Sequence, residues 1–163
     1  MASYYFIFAS FKIWAKRSHS NANLFQNAKL ESTMEAIDVT AAIIEKDGKF
    51  LIAKRAKGKH MEGRWEFPGG KIEKRETPEV CLARELKEEF DIVAKIGDFV
   101  AESVFDYGIK KIKLLGYRVK YVSGEFKLYA HDEIKWIDKN EFGKFDFAPA
   151  DLSLIEKISN SNA

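Results

Sequence analysis

Glu85, Glu88 and Glu89 lie within five residues of one another in the stretch RELKEEFDI, with Glu76 and the glycine pair Gly69-Gly70 shortly before them. On a helix, like charges three and four residues apart repel by a few tenths of a kcal/mol per pair. A solvated acidic face is the common reason for such a run, and Arg84, four residues before Glu88, relieves part of the repulsion. A hard divalent cation would reverse it altogether. Clustered carboxylate oxygens beside a backbone carbonyl are what Mg²⁺ or Mn²⁺ seeks, above all when substrate phosphates complete the shell. The chemistry such a site serves is cleavage of a phosphoanhydride, which needs neutralised phosphate charge, an oriented water and a leaving group held by metal. No Ser–His or Cys–His nucleophile is required.

These residues need a helix behind a tight turn. Thr77 predicts an N-cap, Pro78 suits the first turn, and Glu79 favours the positive end of the helix dipole. Leu82, Leu86 and Phe90 follow at i, i+4 spacing and predict one apolar stripe, so the helix buries one face and turns its glutamates elsewhere. Before it, Ala36–Ile44 and Lys49–Arg55 read as strands joined by EKDG, where Asp47-Gly48 is a hairpin signal. AKGKHMEGRW reads as a loop, and EFPGG as a turn that brings backbone close to a neighbour. After it, FVAESVF, IKLLGYRVKYV and EIKWI read as strands. PADLSLIEKI reads as a closing helix with Leu152, Ile155 and Ile158 on one side. Strands on both sides of a central helix, with a terminal helix, predict an α/β fold with a mixed sheet covered on both faces.

A chain of 163 residues, 46% of them apolar, is long enough for one substantial core. Its net charge of +2 is uneven: Lys12, Lys16, Arg17 and Lys29 against Glu31 give +3 over residues 1–33, leaving −1 for residues 34–163. That balance argues against a surface that coats a nucleic acid polymer. The lone Cys81 excludes an internal disulfide framework and a Cys-based zinc site, fits a reducing compartment, and reads as a small packing residue. The expected location is cytoplasmic. Residues 1–33 are expected to be an extension, poorly ordered or not native, with Met34 as an alternative start; residues 34–163 form the domain. SYYFIFASFKIW is too short, and too interrupted by Lys12, for stable membrane insertion, and it lacks the order of a secretory signal.

From Gly70 the spacing runs five residues, Glu76, seven residues, then Arg84-Glu85-Leu86-Lys87-Glu88-Glu89, one residue, Asp91, Ile92. This resembles the Nudix box: Gly, five, Glu, seven, Arg-Glu-apolar, one, Glu-Glu, one, Gly, apolar. A chance match somewhere in the chain is on the order of 10⁻⁵ if each residue type occurs about once in twenty. One position departs: Asp91 stands where the family has Gly. Asp tolerates the left-handed conformation that ends such a helix, at a cost of about 1 kcal/mol or less. The resemblance spans about Met34 to Ile158, and AKRAKGKHMEGRWEFPGGKIE is similar to the MutT-type branch, the nucleoside triphosphate diphosphatases.

The resemblance implies a Nudix α/β/α sandwich and the reaction of a (d)NTP with water to give the monophosphate and pyrophosphate. It implies the Gly69 carbonyl, Glu85 and Glu89 as ligands of Mg²⁺, for which Mn²⁺ can substitute, and Glu88 as a further ligand or the base for the attacking water. Glu76 would stand behind these or ligate an additional ion, and Arg84 would orient the glutamates by ion pairing. It implies substrate contacts by Arg55, His60 and Phe67, and by Gly70 and Lys71 beside the metal site. Phe67 reads equally as a core aromatic, and Arg55 and His60 as a solvated strand end and a loop histidine. Oligomeric state is open.

Two positions bear on the base. Asp151 stands in FAPADLSLI where the bacterial 8-oxo-dGTP diphosphatases carry an Asn that reads the purine edge. As a carboxylate it accepts from N–H groups of guanine, 8-oxoguanine or cytosine; APAD is associated with relatives acting on CTP and modified dCTP, and a helix N-cap is the alternative. In LYAHDEIKW, Ala130 stands where MutT-type enzymes commonly have a Glu, so Asp132 or Glu133 would substitute or Glu88 act alone. The leading expectation is hydrolysis of 8-oxo-dGTP or another non-canonical dNTP. The alternatives are a CTP or modified-dCTP diphosphatase and a non-catalytic nucleotide-sensing module.

Overall fold

The computed structural model describes residues 35–160, and the expectation for residues 1–33 lies outside them. Strand β1 (Ile37–Lys46) turns through Asp47 and Gly48, both at positive φ (52° and 74°), into β2 (Lys49–Arg55), as a two-residue hairpin requires. The short β3 (Trp65–Glu66), within what reads as loop and turn, pairs with Lys54 and Ala53 of β2. Helix α1 (Pro78–Phe90) follows, then β4 (Val93–Asp106), β5 (Lys111–Ser123) and β6 (His131–Asp138). Two 3₁₀ turns, Lys139–Lys144 and Pro149–Asp151, lead into the closing helix α2 (Leu152–Asn160).

The six strands form one mixed sheet in the order β3-β2-β1-β5-β4, with β6 added to β2. β1 and β5 run parallel, and their neighbours run antiparallel. Alternation along β1 divides the core between two faces. Ala42 and Ile44 pack with Leu82, Leu86 and Phe90 of α1, while Ala41 and Ile43 pack with Leu154 and Ile158 of α2. Leu82, Leu86 and Phe90 are fully buried, each worth roughly 1.5–3 kcal/mol by apolar burial.

α2 keeps Ile158 buried and Ile155 packed against the core, as expected, but Leu154 takes the inward position expected of Leu152, which is exposed. The 3₁₀ turn at Pro149–Asp151 precedes the regular helix, so Leu152 is its first residue. The ends of α1 follow expectation. The Thr77 side chain accepts from the Val80 N–H at 3.3 Å, and Asp91 terminates the helix at φ 56°. Lys87, and Lys127 at 2.8 Å, hold the Asp91 carboxyl down to about 2, Lys127 contributing more. Among the described residues no helix is long and apolar enough to cross a membrane.

Candidate active site

The glycine pair sets α1 against the sheet. A side chain at Gly69 would place its Cβ 2.0 Å from the Thr40 carbonyl oxygen, and one at Gly70 would fall 2.2 Å from the Glu85 carboxyl carbon. Only glycine lets β1, the turn and Glu85 approach this closely. The Pro68 and Gly70 carbonyls accept the N–H groups of Ala42 (2.7 Å) and Thr40 (2.8 Å). The intervening Gly69 carbonyl takes no part in that ladder and belongs to the residue lining the cleft between them. Cys81 is a buried packing residue as expected, its thiol directed at the Lys71 carbonyl (3.3 Å) and pushed up mainly by burial.

Arg84 gathers three of the four box glutamates. Its guanidinium donates to Glu76 (2.9 and 3.0 Å), Glu85 (2.9 Å) and Glu88 (3.1 Å), and more weakly to the Lys71 carbonyl (3.3 Å). Arg84 therefore holds Glu76 at about 2 and is itself pushed upward by Glu76 first. Glu89 is left out of this network. It is half-buried, its Oε2 is buried and meets no donor, and burial raises it from 4.5 to about 7, with Glu66 and Glu85 adding to the rise.

A cleft of about 300 Å³ opens beside these groups. Of the residues expected from sequence, Gly69, Gly70, Lys71, Glu85, Glu89, Arg55, His60, Phe67 and Asp151 line it. Glu76 and Glu88 do not line it. Glu88 is 59% exposed at the side chain and Glu76 is screened behind Arg84. Among the described residues no three Asp, Glu, His or Cys side chains already converge as a metal cage, because Arg84 draws Glu85 and Glu88 to itself. The donor set nonetheless suits a hard divalent cation: anionic oxygens, a carbonyl outside the ladder, and a buried carboxylate oxygen without a donor.

Phe67 is a core aromatic: its ring packs on Phe142 and Phe147, and its N–H donates to Asp151 Oδ1 at 2.9 Å, both residues lining the cleft. Asp151 is 4% exposed, and burial, then Glu66, push it well above the usual carboxylate range. In the structure Asp151 acts as an acceptor, as expected of it, toward the Phe67 N–H. His60, lowered mainly by desolvation, lies edge-on to Tyr107. Neither proposed substitute at Ala130 reaches the cleft: Asp132 accepts from the Lys57 N–H at 3.2 Å, and Glu133 pairs with Lys135 at 3.1 Å.

Sequence reading missed Glu66, Tyr107 and Lys110, which also line the cleft, and His131 behind it. Glu66 was detectable in principle. Next to a core-facing Phe67 in an extended segment, its side chain must take the opposite face.

The NUDIX domain family model matches residues 34–158. The chain belongs to the Nudix family. It is 38% identical over 123 residues to the CTP pyrophosphohydrolase of Escherichia coli, covering 76% of this chain and 91% of the relative. To the 8-oxo-dGTP diphosphatase of Haemophilus influenzae it is 34% identical over 125 residues, covering 76% and 92%. The solution structure of the E. coli ORF135 protein superposes with a TM-score of 0.69 at 37% identity, covering 78% of this chain and 91% of that one. The crystal structure of a MutT protein from Methanosarcina mazei gives 0.72 at 27% identity, covering 80% and 97%. The expected Nudix fold and the class of hydrolase acting on acid anhydrides both hold for this chain. Nudix hydrolases use divalent cations.

Proposed function

We propose that this Nudix protein hydrolyses a nucleoside triphosphate to the monophosphate and pyrophosphate, with Mg²⁺ as the cation and Mn²⁺ as a substitute. The observation that carries the proposal is Glu89, which lines the same cleft as Glu85 and Gly69 and has a buried carboxylate oxygen with no donor. Those three would hold the cation, which when bound neutralises phosphate charge and activates water. Arg84 keeps Glu85 and Glu88 within its reach until phosphate and cation compete for them. Glu88, exposed beside Arg84, is free to turn toward an attacking water as its base or toward the metal. Arg55, His60 and Lys71 supply cationic and polar groups for the polyphosphate.

At the base end Asp151, raised by burial, would when protonated present one donor beside one acceptor. That pair matches adjacent donor and acceptor groups on 8-oxoguanine (N7–H and O6), on cytosine (N4–H and N3) and on guanine's N1–H/O6 edge; it separates 8-oxoguanine from guanine only at the N7/O6 edge, where unmodified guanine offers two acceptors. The leading substrate is therefore 8-oxo-dGTP or another non-canonical dNTP. The second reading, CTP or a modified dCTP, is favoured by the same Asp151 and by the 38% identity to a protein named CTP pyrophosphohydrolase. Pyrophosphate release across 8-oxo-dGTP, dGTP, CTP, dCTP and 5-methyl-dCTP tests both. The proposal expects kcat/KM for 8-oxo-dGTP to exceed that for dGTP at least tenfold; no pyrophosphate from any nucleotide would contradict it.

A further inference from the structure

His131 opens β6 and is sheet partner to Arg55 at a register shift between Lys54 and Arg55. The residue is 5% exposed, and its ring stacks on Phe90, the fully buried last residue of α1, at 4.9 Å and an interplanar angle of 17°. Its Nε2 lies 2.9 Å from Glu66 Oε1, and Glu66 receives Arg55 Nη1 on both carboxylate oxygens, at 2.8 and 2.6 Å. A carboxylate only accepts, so the proton between His131 and Glu66 sits on Nε2. The Nδ1 atom is buried and meets no partner, so the ring has one anchoring bond, and that bond is to Glu66.

The order of burial along this chain shows which end is fixed. The side chains are 2% exposed at His131, 12% at Glu66 and 29% at Arg55. The imidazole is clamped by packing, the carboxylate is held by the imidazole, and the guanidinium reaches the cleft from that carboxylate. A long flexible cation held before its ligand arrives loses less freedom on binding, which strengthens affinity more than it changes the chemical step. Because the clamp is Phe90, next to Glu89, the two walls of the cleft share one brace.

We infer that His131 is a positioning residue for substrate binding: acting through Glu66, it orients Arg55 toward the phosphates. The inference rests on the proposed triphosphate substrate. His131→Phe keeps a ring on Phe90 and removes the Nε2–H; Arg55→Ala removes the cation; the two variants and their combination form a double-mutant cycle. Dissociation constants for a non-hydrolysable nucleoside triphosphate analogue with Mg²⁺ are measured alongside kcat and KM. His131→Phe is expected to weaken binding and raise KM about five- to twentyfold with kcat within twofold, and to add less than twofold in the Arg55→Ala background. Should His131→Phe not fold, Glu66→Gln takes its place in the cycle with the same expectations. Equal losses with and without Arg55, or a fall in kcat at unchanged KM, would overturn the inference while pyrophosphate release still upheld the function. Unchanged binding in Arg55→Ala would overturn it as well.

Discussion

Glu88 and Glu89 are neighbours on α1, yet Glu88 is exposed and bridged by Arg84 while Glu89 is half-buried with a buried oxygen that no donor reaches. The helix thus turns one glutamate to solvent and the next toward the cleft, where a cation or a proton would satisfy it.

Glu89 makes the metal-free protein sensitive to pH. Its folded-state value lies near 7 against an ordinary 4.5, mainly through burial. The folded state therefore binds the extra proton between those values, and stability falls as pH rises through that window, by an amount on the order of 3 kcal/mol. Without metal, Tm should drop between pH 4.5 and 8, and Glu89→Gln should flatten that slope. Mg²⁺ binding should tighten over the same interval, with proton release detectable by calorimetry in two buffers.

Arg84→Gln would leave Glu76, Glu85 and Glu88 without their shared cation. We expect kcat/KM to fall about a hundredfold, the scale of losing an aligned geometry. The metal-free Tm should also fall by several degrees, with millimolar Mg²⁺ restoring more of it than in the wild type. Thermal melts with and without Mg²⁺ check this.

Asp151→Asn keeps an acceptor for the Phe67 N–H and offers a permanent donor. Because burial raises Asp151 well above the usual carboxylate range, ionisation at rising pH should remove its donor and lower kcat/KM for the preferred base. The Asn variant should retain activity within about fivefold and lose that decline. Asp151→Ala should lose at least tenfold, the cost of an unpaired polar edge. Rate profiles from pH 6 to 10 separate the three.

Asp91→Gly restores the family's residue at the helix end. Glycine relaxes the left-handed backbone, worth about 1 kcal/mol or less, but forfeits the pairs with Lys87 and Lys127. We expect stability within 1 kcal/mol of wild type and unchanged kcat in urea melts and rate assays.

The box, the hairpin at Asp47-Gly48 and the caps of α1 were legible because each is a local pattern whose cause lies within a few residues. The pairing of Glu66 with Arg55 and His131 was not, since it joins β2, β3 and β6 across 76 positions and only the sheet register brings them together. In α2 only Leu152 departs from its expected face: it is the first helical residue, behind a 3₁₀ turn that hydrophobic spacing does not reveal. The upward shift of Asp151 also escaped, since it comes from burial and proximity to Glu66 rather than from the APAD motif.

Paramagnetic relaxation by Mn²⁺, measured on backbone amides with a non-hydrolysable triphosphate analogue bound, tests the central claim most directly. The account predicts broadening centred on Gly69, Gly70, Glu85 and Glu89, abolished in Glu89→Gln. Saturating Mn²⁺ that leaves those amides sharp while the analogue binds would contradict it.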